Sequence, residues 1–103
     1  GLTGVHDMGT APDDWALFRS FGDAGRLTIR ITAYAAGMDP MQAISPLRPT
    51  PWLYADRLRL QGIKLYTDGA LGSRGAWMLQ PYSDDPATRG LQFLDEAKVK
   101  NLF

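Results

Sequence analysis

At 103 residues, 45% hydrophobic and 21% charged, the chain suffices for one domain at most, with a modest apolar core. Eleven basic side chains balance eleven acidic ones, so no net charge draws it to nucleic acid or to an anionic membrane. There is no cysteine, no apolar run near the ~20 residues of a membrane span and no signal-peptide pattern, which excludes disulfides and thiolate metal sites and makes the cytoplasm the expected location.

In chain order, residues 2–7 read as a short strand ended by the Met8-Gly9-Thr10 turn. From Thr10 to Asp23 the pattern is helical: Pro12 suits the first turn, and Asp13 and Asp14 favour its positive end. Trp15, Phe18 and Phe21 recur every third residue, a stripe suited to packing on a sheet. Gly22 and Gly25 supply the stop. Leu27 to Tyr34 alternates strictly and is rich in β-branched residues, which marks a strand. Residues 37–57 carry Pro40, Pro46, Pro49 and Pro51; Asp39-Pro40 can open one short helix, and the later prolines forbid a long one.

A third strand is expected over residues 62–68, with a short strand at Leu58–Leu60 before it. Alternation there puts Lys64, Tyr66 and Asp68 on one side and Ile63, Leu65 and Thr67 on the other. An ammonium and a carboxylate on one face of an otherwise apolar strand need partners or work to do. Gly69, Gly72 and Gly75 follow, suiting a backbone that turns tightly and approaches a ligand. Turns fill Pro81-Tyr82-Ser83-Asp84-Asp85-Pro86. A last helix begins after Asp95 as N-cap, with Leu94 placed to staple onto Val99.

Strand, helix, strand, excursion, strand, loop, helix is the rhythm of parallel α/β architecture. Three parallel strands want cover on both faces. The chain opens inside a strand without a methionine and closes in a helix without a stop signal. It is therefore expected to be a piece of a longer protein, with strands drawn from an eight-stranded barrel. In such barrels chemistry sits where strands end and loops begin; His6-Asp7, Tyr34 and Asp68 fall at those points.

The residues that carry a family resemblance are Gly1-Leu2-Thr3-Gly4-Val5-His6-Asp7-Met8-Gly9 and the fifteen from Gly62 to Ala76, with Pro81 to Pro86 and Arg89-Gly90-Leu91 behind them. The first segment resembles the G-V/L-T-x-V-H-D/E-x-G run of amidohydrolase family 3, within the metal-dependent amidohydrolases. The second is similar to that family's most recognisable signature. The resemblance implies a (β/α)8 barrel that hydrolyses C–N bonds of N-substituted formamides and related amides through metal-activated water. This chain would supply strands two to four, making residues 1–103 a partial catalytic barrel domain, incomplete at both ends. It also implies a divalent metal, zinc as the expected ion, in the full-length parent, with Lys64 at the fourth-strand ligand position, where the family's lysine is often carboxylated. The family's first-strand H-x-H is missing, and this chain has one histidine.

The candidate side chains each have a plainer alternative. Lys64, if buried and neutral, can add CO2 and become an anionic carbamate able to bridge two ions; otherwise it pairs with Asp68 or snorkels to the strand end. Asp68 is the candidate catalytic residue. It could hold a substrate amine, orient Lys64, or close the strand as a turn residue before Gly69. His6 is a candidate lining of the substrate pocket more than a ligand. Arg74 could grip an anionic group or developing charge, or be an exposed loop arginine. Trp77 is a further candidate substrate contact, with Tyr82 beside it as a pocket wall, whereas Trp15 and Trp52 read as packing. Ser73 lacks the G-x-S-x-G elbow of a hydrolase nucleophile.

One metal donor cannot fix an ion, so the isolated chain is expected to bind no metal and to be inactive. The expected partner is a small amide-type substrate. Two other readings stay open. One is a non-catalytic module whose Gly69–Gly75 loop cradles an anion or small ligand. The other is a module that self-associates through exposed strand edges.

Overall fold

The computed structural model describes residues 1–46 and 48–102, in two units, Gly1–Leu65 and Tyr66–Phe103. The first unit holds β1 (Gly4–Thr10), α1 (Pro12–Asp23), β2 (Arg30–Ala35), α2 (Met38–Ile44) and β3 (Leu58–Ile63). The strands form one parallel sheet in the order β1-β2-β3, as the rhythm of the sequence predicts. Among the described residues no helix is long and apolar enough to cross a membrane.

Local chemistry explains the boundaries. Thr10 belongs to β1, its hydroxyl donating to Asp7, so α1 begins at Pro12, where a missing N–H costs nothing. Asp14 accepts the Ala11 N–H at 3.1 Å. The helix ends on Gly25 at φ +67°, with Arg26 N–H bonded to Phe21 O and Gly25 N–H to Gly22 O, the paired bonds of a Schellman stop. Asp39-Pro40 does sit in a short helix, α2.

One face of the sheet is covered. Ile31, Ala33, Ala35, Leu58 and Leu60 are buried with Trp15 of α1, and Val5, Phe18, Met41, Ile44 and Ile63 pack around them. Two irregularities keep that face consistent. Ala33 pairs with Leu60 but Tyr34 with Gly62, so Gln61 is an extra residue that flips the alternation. Leu58, Leu60 and Ile63 therefore share the helix face, while Arg59 and Gly62 share the open one with Thr32 and Tyr34. The skip at Gly9 in β1 does the same: Val5, Asp7 and Thr10 face the helices, and His6 and Met8 the open side.

The third strand differs from its expected extent. Residues 58–63 form one strand, and 64–67 lie beyond it. The alternation expected over 62–68 is thus not a strand alternation past Ile63; the chain turns into loop where Lys64 N–H makes its 2.8 Å bond to Ala35 O.

Between α2 and β3, Tyr54, Ala55 and Asp56 take φ of 56°, 52° and 62°, a left-handed run that costs roughly 1–2 kcal/mol per residue. Side chains hold it. The Tyr54 ring lies where a Cβ on Gly22 would come within 2.4 Å; its hydroxyl donates to Asp23 at 2.7 Å and accepts from Arg19 Nε at 3.1 Å. That second bond raises the Arg19 pKa above its already high ordinary value.

The second unit has a 3-10 turn at Leu71–Ser73 and a helix, α3 (Glu96–Leu102). Asp95 caps α3 as its sequence predicts, accepting Lys98 N–H at 2.8 Å; Phe103 lies outside the described residues.

Candidate functional site

In the first unit the candidate residues belong to the open face and its C-terminal edge. His6 is exposed on β1, and its ring stacks on Tyr34 with centroids 6.0 Å apart. Gly62 leaves room there: a Cβ would touch the Tyr34 ring at 3.8 Å. Lys64 is half-buried one residue beyond β3, its N–H bonded to Ala35 O at 2.8 Å.

The second unit gathers Asp68, the glycine loop and Trp77. Asp68 Oδ2 accepts Trp77 N–H at 2.9 Å, and Thr67 Oγ1 donates to Oδ1 at 3.2 Å. Its backbone bridges Gln92. This carboxylate closes the loop and not the strand, which ends at Ile63. Gly69 N–H donates to Gly75 O at 3.0 Å, Gly75 and Ala76 N–H both to Ala70 O, and Leu91 N–H to Gly75 O at 2.9 Å. A Cβ on Gly69 would sit 2.7 Å from Gly75 O, and one on Gly90, at φ +92°, only 2.0 Å from Ala76 O. The close approach these glycines allow is of the chain to itself. Nothing lies within 4 Å of a Cβ on Gly72.

Arg74 is in the left-handed region at φ 55° and forms an exposed ion pair with Asp84, Nη2 at 3.0 Å and Nε at 3.2 Å from one carboxylate oxygen. The bond lowers the Asp84 pKa and raises that of Arg74. Trp77 is exposed; Tyr82 is half-buried, its hydroxyl donating to Ala76 O at 2.7 Å.

Among the described residues no group of three or more His, Cys, Asp and Glu side chains could hold a metal ion. The donors present do not make a metal centre by themselves.

The open face also carries a cluster that the sequence pattern does not announce. Trp52, read as packing, has the guanidinium carbons of Arg30 and Arg59 at 5.7 and 5.8 Å from its ring centroid. The only advance signal was two arginines at like-facing positions of adjacent strands.

A parallel sheet backed by helices on one face, with polar side chains on the other, is a layer of α/β architecture. Residues 1–103 match the amidohydrolase family, and the chain belongs to that family. It is 45% identical over 40 residues to the Bacillus subtilis protein named "Putative amidohydrolase YtcJ", covering 39% of this chain and 8% of that one. It is 40% identical over 50 residues to Protein LONG AFTER FAR-RED 3 of Arabidopsis thaliana, covering 48% of this chain and 8% of that one. In structure it is similar to an uncharacterized metal-dependent hydrolase from Pyrococcus horikoshii, with a TM-score of 0.79 and 30% identity over 95% of this chain and 20% of that one. A second such hydrolase, from Pyrococcus furiosus, gives 0.73 and 27% over 96% and 20%. The chain thus spans about a twelfth of these curated relatives and a fifth of these solved structures.

Proposed function

We propose that the chain is a segment of a (β/α)8-barrel hydrolase, supplying its second to fourth strands, whose parent cleaves amide-type C–N bonds, N-substituted formamides foremost. The observation that carries this reading is the place of Lys64, half-buried directly past the C-terminal end of β3, in a chain of the amidohydrolase family. Active groups in such barrels stand at strand ends.

On this reading Lys64 is the chain's single metal donor, as a carbamate: its neutral amine bonds to the carbon of CO2 and one proton leaves. Zinc is the expected ion, its other donors lying outside these residues. When bound, the metal supplies an activated water. His6, in the first unit, and Trp77, in the second, are each taken as substrate contacts. Asp68, already bonded to Trp77 N–H, offers its carboxylate to the substrate amine, and Arg74 contacts an anionic substrate group once parted from Asp84. The anion-cradle alternative is weakened because the N–H groups of Gly69, Arg74, Gly75, Ala76 and Trp77 are spent inside the loop. Self-association through the outer strands, β1 and β3, is the remaining alternative.

The test is hydrolysis of N-formyl amines with added zinc by the 103-residue chain and by a longer family protein containing it. The chain alone is expected to give no turnover. The longer protein turns over, and Lys64→Ala removes its activity by several orders of magnitude while Lys64→Glu restores part of it. Turnover by the 103 residues alone, or an active Lys64→Ala, overturns the proposal.

A further inference from the structure

The two outer edges of the sheet are not alike. A parallel strand addresses its neighbours alternately, one residue to each side. Toward β2, the groups of Arg57 and Lys64 are engaged: Ile31 N–H donates to Arg57 O and Lys64 N–H to Ala35 O, each at 2.8 Å. Leu58 and Leu60 therefore turn their backbone groups to the outer edge of β3, where residues 50–53 meet them. Leu53 N–H donates to Leu58 O at 2.8 Å, and Leu58 N–H to Leu53 O at 3.2 Å. Thr50 N–H donates to Leu60 O at 3.0 Å, and the Thr50 hydroxyl oxygen accepts the Leu60 N–H at 2.9 Å.

The hydroxyl stands in for a missing ladder partner. With Leu53 opposite Leu58 in an antiparallel pair, the residue opposite Leu60 is Pro51, which has no N–H to give. Thr50 takes over both bonds, the donor from its backbone and the acceptor from its side chain. Pro49 and Pro51 also leave the far side of the segment without N–H donors at those two positions, so it is a poor template for another strand. Among the described residues β1 pairs with β2 alone. Because Arg30 N–H goes to Thr3 O, the backbone groups of Gly4, His6 and Met8 point outward from the sheet.

We propose that residues 50–53 are a strap that closes the outer edge of β3 over Leu58 and Leu60, so that a further strand can join β3 only from Ile63 onward. The limit follows from the same alternation. Lys64 N–H addresses Ala35, so the Ile63 groups face the edge, past the last bond of the strap. An unguarded row of backbone groups invites pairing by other chains. The strap removes that row from the first part of β3 and leaves β1 as the open edge. Copies of the chain cannot pair with β3 over Leu58 and Leu60, and a strand that follows β3 in the sheet is set in register with its C-terminal end. None of this depends on the hydrolase reading.

The experiment is amide hydrogen exchange of the chain by 1H–15N NMR, with sedimentation velocity beside it. In the native chain the Leu58 and Leu60 amides are expected to be protected and the Ile63 amide to exchange as an open-edge position. Thr50→Val, which keeps the N–H but not the acceptor, speeds exchange at Leu60 roughly tenfold, while Ile31 and Lys64, bonded between β2 and β3, keep their protection. Thr50→Ser, which keeps the hydroxyl, exchanges at the native rate. Thr50→Pro removes the N–H as well, uncovers the edge, and associates more strongly than the native chain at equal concentration. Should that variant fail to fold by circular dichroism, Thr50→Val carries the test. A native Leu60 amide that exchanges as fast as Ile63, unchanged Leu60 protection in Thr50→Val, or a folded Thr50→Pro that associates no more than the native chain overturns the proposal.

Discussion

The two units of this chain hold their shapes by different means. Gly1–Leu65 has a sheet whose covered face is apolar, with Ala33, Ala35, Leu58 and Leu60 at 0% exposure. From Tyr66 onward no apolar side chain larger than glycine is buried among the described residues, and Leu71, Trp77, Leu79 and Leu91 are more than half exposed. That unit is shaped instead by backbone bonds, such as Met78 N–H to Arg89 O at 2.7 Å and Phe93 N–H to Thr67 O at 2.9 Å, and by the missing Cβ atoms of Gly69 and Gly90. Burial supplies free energy in proportion to area, whereas backbone bonds in a wet loop supply geometry at small net gain. The first unit is thus a scaffold, and the second a shape that opens at lower cost.

The largest expected effect tests the scaffold. Leu60→Ala removes a fully buried side chain from β3 and should cost about 2–5 kcal/mol, read as a lower urea midpoint by circular dichroism. Next comes Gly90→Ala, which combines a positive φ with a methyl 2.0 Å from Ala76 O and should cost on the order of 1–3 kcal/mol. Amide exchange should then quicken at Met78 and Leu91 while Ile31 and Lys64, bonded within the first unit, keep their protection. If the amides of both units respond alike, the division into scaffold and loop fails.

Composition and periodicity made the parallel α/β order legible because Trp15, Ile29 and Ile31 face a core and Pro12, Gly25 and Asp95 punctuate helices by local chemistry. The end of β3 was not legible. Lys64-Leu65-Tyr66-Thr67 alternates as well as any strand, and what ends pairing there is the limited length of β2, a partner rather than a local signal. The flip at Gln61 was hidden for the same reason, since an extra residue shows only against a neighbouring strand. Tyr54-Ala55-Asp56 has no glycine or asparagine to announce a left-handed turn; Gly22, over 30 residues earlier, makes the room. At the candidate site the glycine spacing was visible, but whether those glycines admit a ligand or the chain's own carbonyls depends on Gly75 and Ala76 folding back, which no spacing reveals.

The smallest effect concerns the loop's surface. Arg74 donates to Asp84 and holds its carboxyl below the ordinary aspartate range. A depressed carboxyl pKa stabilises the folded form at and above the unfolded aspartate pKa. That contribution fades as pH falls from the unfolded value through the folded one, and is constant through neutrality. Because both side chains are exposed, salt screens the pair and global stability should barely register it. The measurement is therefore local: the Asp84 carboxyl 13C shift against pH. Arg74→Gln should move its midpoint upward to the ordinary value, and added salt should move the native midpoint the same way. An unchanged midpoint would mean that Arg74 is not held by Asp84 in solution, leaving its guanidinium available to a substrate anion without first breaking the pair.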